Sequence, residues 1–137
     1  MSASDWTGTA YVDSSAILKL VVREPETAAL EAHLATRDGL ITSRLSVLEC
    51  RRAVRRAANR RLLQAVEGVF EALYLLDITP ALLDAAASVD PPLLRSLDAI
   101  HLATARSIDP HLELITYDER QADAARAGGF VVLAPGR

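Results

Sequence analysis

An alternation of two kinds of segment most constrains what this chain can become. Short apolar runs, rich in branched and aromatic side chains, occur at Ala10–Val12, Gly39–Thr42, Leu75–Ile78, Leu112–Thr116 and Phe130–Leu133. Each is too short for a helix and is bounded by turn or capping residues, the pattern of a buried strand. The segments 14–22, 25–37, 44–60, 62–74, 80–89, 96–107 and 119–127 between and around them are built largely from good helix formers. Pro25 and Pro80 stand where a first-turn proline is tolerated, Pro91-Pro92 breaks the pattern, and Gly128-Gly129 stops a helix before the last run. The expected fold is therefore α/β, a parallel sheet with helices on both faces joined by right-handed crossovers. Such sheets bind ligands beyond the carboxyl ends of their strands.

A chain of 137 residues, 50% apolar and 24% charged, can bury one core. It is expected to form a single domain over 1–137, with its core at about 9–134. The apolar stretches fall short of the ~20 residues of a membrane span. MSASDWTGTAYVDSS has no basic segment followed by an apolar one, so no secretory signal is read there. The lone Cys50 can form neither an internal disulfide nor a thiolate metal cage, which fits a reducing, cytoplasmic location.

Charge is unevenly spread. Residues 1–61 hold ten Lys/Arg against seven Asp/Glu, whereas 62–137 hold five against eleven. Seven basic residues fall between Arg44 and Arg61, with Glu49 the sole acid among them. The pattern describes either a local basic surface for a polyanion or a solvated helix face.

Acids stand where a parallel sheet places its ligands. Asp13 follows the first run and Asp118 the fourth, with Thr42, Ser43 and Thr116 at neighbouring strand ends. Asp13, Asp118 and Ser43 could each simply cap the next helix, and Asp98 in a first turn could complement the helix dipole, with Ser96 as the cap. On a helix over 44–60, Val47, Cys50, Val54, Ala57 and Ala58 share an apolar face. Glu49, Arg52, Arg56 and Arg60 line the opposite one. That row is either a ladder of exposed pairs or a carboxylate beside guanidinium groups suited to a metal-bound phosphate and its flanking backbone. If the acids meet, their repulsion demands cations. Oxygen donors without thiolate or clustered histidine point to magnesium or manganese. His33, His101 and His111 are scattered, and His101 is read as packed or capping.

Four segments carry a resemblance: YVDSSAILKL, SRLSVLECRRAV, LRSLDAIHLATA and LITYDERQADAA. In order and spacing, from about Thr9 to Ala134, the chain resembles PIN-domain ribonucleases, specifically the VapC toxins of bacterial toxin–antitoxin pairs. The resemblance implies a three-layer α/β/α fold with a five-stranded parallel sheet and divalent-metal-dependent cleavage of RNA. It assigns Asp13, Glu49, Asp98 and Asp118 as catalytic metal ligands for Mg2+ or Mn2+, and Ser14 and Thr116 as polar residues that line the same pocket and contact the RNA. It also implies a homodimer and a VapB-like antitoxin that occludes the site. Arg52, Arg56 and Arg60 would hold the RNA backbone, with few aromatic side chains available for stacking bases. Two other classes compete. A phosphatase or phosphoacceptor on a similar sheet lacks its pattern, since Ser15 stands two residues after Asp13 and Lys19 is the only lysine. A non-catalytic RNA- or protein-binding module gains nothing from clustered acids.

Overall fold

In the computed structural model, which describes residues 6–137, every expected strand and helix is present. The leading residues of the expected domain and of the leader reading lie outside the described residues. The order is β1 (Thr9–Val12), α1 (Ser14–Val21), α2 (Thr27–Leu34), β2 (Gly39–Ser43), α3 (Arg44–Arg56) and α4 (Arg60–Glu71). Then come β3 (Tyr74–Leu76), α5 (Pro80–Ala86), α6 (Ser96–Ile108), β4 (Glu113–Ile115), α7 (Glu119–Ala127) and β5 (Val131–Leu133). The five strands form one sheet in the order β3-β2-β1-β4-β5, and every pairing is parallel. Tyr11 is in register with Ile41 on one side and Leu114 on the other, so β1 is the central strand.

Strand periodicity divides the core into two layers. Ala10 and Val12 face one way and pack with Ile17, Leu30, Cys50, Val54, Val66 and Phe70 from α1 to α4. Tyr11 faces the other way and packs with Leu102, Leu114, Ala124 and Phe130, under α6 and α7. Leu82 and Ala86 of α5 pack on Ala99 and Ala103 of α6. Each fully buried aliphatic side chain in these layers contributes about 1.5–3 kcal/mol relative to exposure. The chain moves outward from β1 through β2 to β3, then crosses back to place β4 on the other side. The crevice between the ends of β1 and β4 is therefore the topological switch point.

Three local expectations are corrected. The helix expected over 44–60 ends at Arg56: Ala58 adopts a left-handed φ of 50°, and the Asn59 side chain accepts the amides of Arg61 and Leu62 to start α4. Arg60 thus opens a different helix and does not extend the Glu49–Arg52–Arg56 row, while Ala57 and Ala58 are exposed instead of joining the apolar face. Ser96 is the first residue of α6 rather than its cap, and Arg95 at the cap position makes no side-chain capping bond. Pro25 lies before α2, which starts at Thr27. Pro80 does occupy the first turn of α5, behind Thr79 as cap.

Candidate active site

Strand ends and helix starts converge at the carboxyl edge of the sheet. Asp13 follows β1, and its amide bonds to the Ile115 carbonyl of β4 at 3.2 Å, fixing it at the switch point. Its Oδ1 caps α1 by accepting the Ala16 amide at 3.1 Å and also accepts Ser15 Oγ at 2.6 Å. The cap is real, yet Asp13 is only 4% exposed, unusual for a carboxylate whose sole duty is capping. Burial pushes its carboxyl above the usual range, against the pull of His101 and hydrogen bonds from Ser15, Thr116 and Ala16. Ser15 stitches the two strand ends together, since its Oγ also accepts the Tyr117 amide at 2.9 Å.

Glu49 reaches the same edge from the second turn of α3. Its Oε1 accepts Ser14 Oγ at 2.5 Å and lies 2.6 Å from His101 Nε2. Burial raises its carboxyl, but the imidazole and hydroxyl partners outweigh that and hold it low. Asp98, in the first turn of α6, is pushed up first by burial and then by Asp118. Glu49 adds to the rise, while His101 and Arg95 oppose it. Asp118 is exposed and caps α7 through the Gln121 amide at 3.0 Å. Thr116 is buried beside it: its Oγ1 accepts the Asp118 amide at 3.1 Å and lies 3.4 Å from Ser15 Oγ. A groove of about 740 Å³ runs from Thr116 and Asp118 past Asp123 and Arg126 of α7 to Leu133 and Arg137. Of the four acids, Asp118 alone lines it.

The donor set suits a hard divalent cation: carboxylates carried by four segments, Asp98 raised in part by the charges of Asp118 and Glu49, and no thiolate free to ligate. Cys50 is buried, with its thiol pushed up to about 12. Among the described residues, however, no three acidic, histidine or cysteine groups stand as a finished cage. Glu49 is turned to His101 and Ser14 instead. Arg52 and Arg56 are exposed on the outer side of α3 and, among the described residues, have no acidic partner. Ser14, expected against substrate, holds Glu49. The residues that sequence reasoning missed are Tyr11, Ser15 and the hydrogen-bonding task of His101, whose partners Tyr11 and Glu49 are 90 and 52 positions away. No local spacing signals such contacts.

Residues 10–127 match the PIN domain family. The chain is 44% identical over 132 residues to Ribonuclease VapC46 of Mycobacterium tuberculosis (strain ATCC 25618 / H37Rv), covering 91% of this chain and 96% of that protein. It is 42% identical over 132 residues to Ribonuclease VapC35 of the strain CDC 1551 / Oshkosh, covering 93% and 97%. Among solved structures, a toxin–antitoxin complex from Klebsiella pneumoniae superposes with a TM-score of 0.70 at 21% identity, over 92% of this chain and 97% of that one. VapBC2 from Rickettsia felis, bound to a DNA fragment from their promoter, gives 0.69 at 11% identity, over 91% and 97%. These two likenesses concern the fold.

Proposed function

Because the chain belongs to the PIN-domain family, with the VapC ribonucleases, we propose that its carboxyl-edge site hydrolyses RNA phosphodiester bonds as the toxin of a toxin–antitoxin pair. The observation that carries this reading is the approach of α3 to α6 at the carboxyl edge, where Glu49 lies 2.6 Å from His101, one turn after Asp98, and the charges of Asp118 and Glu49 help to raise Asp98. Asp13, Glu49, Asp98 and Asp118 would hold magnesium or manganese. When bound, the ion supplies an activated water and neutralises charge gathering on the phosphate oxygens. A nearby carboxylate would take the proton from the attacking water. Thr116 and Ser15 tie the ends of β1 and β4 together, so that Asp13 and Asp118 keep a fixed separation. Arg52 and Arg56 bind the flanking phosphates from α3, and Arg60 does so from the start of α4. Attack by water yields a 5′-phosphate and a 3′-hydroxyl.

An antitoxin partner and a homodimer belong to the same proposal, as does a cytoplasmic location. Among the described residues no helix is long and apolar enough to cross a membrane. The decisive experiment incubates RNA with the wild type and with Asp98→Asn, with and without Mn2+, and maps the ends produced. Cleavage confined to wild type with metal is expected. Near-normal turnover by folded Asp98→Asn removes this acid from the chemistry, and no cleavage with no metal uptake favours a binding module.

A further inference from the structure

Two buried groups beside Glu49 have no task in the hydrolytic reading. Tyr11 is fully buried in the central strand, and its hydroxyl oxygen accepts the Ser43 amide at 3.2 Å while lying 2.6 Å from His101 Nδ1. A phenol keeps its proton at neutral pH, so the hydroxyl has one to donate. An oxygen that accepts an amide and holds a single proton satisfies a ring nitrogen by donating to it. A nitrogen that accepts is bare, so in its uncharged form the ring carries its one proton on Nε2. That atom faces Glu49 Oε1 at 2.6 Å. The two rings meet edge to face with centroids 5.8 Å apart, and His101 is 3% exposed, which leaves the ring little freedom to turn.

Ser14 Oγ donates to the same carboxylate oxygen. Oε1 is therefore taken by two protein donors, whereas Oε2 has no hydrogen-bond partner among the described residues. We infer that His101 is a positioning residue for Glu49: Tyr11 sets the imidazole tautomer, and the Nε2 proton pins Oε1 so that Oε2 is presented to the cation. This inference rests on the hydrolytic reading and adds a support behind one of its ligands. Supports of this kind are worth about 10–100-fold in metal affinity.

Two measurements test it, neither of which reads catalysis. Long-range proton–nitrogen NMR on the metal-free protein reports each imidazole tautomer. His101 should be a single Nε2–H tautomer in the wild type, and Tyr11→Phe should abolish that uniformity. A wild-type ring protonated on Nδ1 overturns the inference, as does a tautomer unchanged in Tyr11→Phe. Should Tyr11→Phe fail to fold, the wild-type spectrum still decides. In calorimetric titration with Mn2+, His101→Ala should bind about 10–100-fold more weakly. His101→Gln, whose amide N–H can replace the Nε2 donor, should recover most of the loss, which simple loss of packing would not allow. Equal affinity in wild type and His101→Ala overturns the inference alone. A wild type that takes up no Mn2+ overturns the hydrolytic reading and the role assigned here with it.

Discussion

Replacing Asp118 separately by asparagine and by alanine divides its two duties, because one substitution keeps the cap and both remove the charge. The side chain accepts the Gln121 amide at 3.0 Å, leaving one fewer orphan donor at the start of α7. Loss of such a cap to alanine costs about 1 kcal/mol, and asparagine caps as well as aspartate. The charge adds a favourable term with the helix dipole of about 0.3–1 kcal/mol at most, at an exposed site where solvent screens it. Relief of repulsion with Asp98 works in the opposite direction. Asp118→Ala should therefore melt about 3–4 °C below the wild type for a chain of this length, and Asp118→Asn should stay close to it. Thermal denaturation followed by circular dichroism without metal gives both numbers. Carbon-13 NMR of the Asp98 carboxyl gives the electrostatic half, since either substitution should lower the pH at which Asp98 ionises. If Asp118→Asn falls as far as Asp118→Ala, the cap is not what stabilises. If Asp98 titrates unchanged in both, the acids do not sense one another and the proposed convergence fails.

Three further outcomes are expected. The fold favours the protonated form of buried Asp13, so the carboxyl imposes no penalty below about pH 4 and a growing one as the pH rises through its raised value. Urea unfolding of the wild type relative to Asp13→Asn should show this loss setting in above about pH 4, and a pH-independent difference would contradict it. Arg56→Ala should weaken RNA binding and flatten the logarithmic salt slope by about 0.7–0.9; an unchanged slope returns that side chain to a solvated role. The Cys50 thiol, pushed up to about 12 by burial and then by Glu49 and Asp13, should resist iodoacetamide in the folded protein at neutral pH and react once unfolded. Rapid labelling of the native state would show that the α1–α3 contact opens.

The alternation of strand and helix was readable because its signals are local: branched runs, caps at Asp13 and Asp118, a proline at position 80 and the glycine stop at 128 and 129. The break after Arg56 escaped notice since Ala57, Ala58 and Arg60 are all good helix formers and only Asn59 argues otherwise. Asp13 and Asp118 were legible through their place after strands. Each also caps a helix, so a structural duty and a proposed chemical one coexist in the same side chain. The hydrogen bonds of His101 were beyond reach, because tertiary packing alone joins it to Tyr11 and Glu49.

Placing the first strand in the middle of the sheet has a temporal consequence. Tyr11 pairs with Leu114, more than a hundred positions later, so during synthesis this strand waits through β2, β3 and six helices before its second neighbour arrives. Asp98 and Asp118 arrive within that same late stretch. A nascent chain that has not yet reached β4 and the start of α7 therefore holds only half of the crevice.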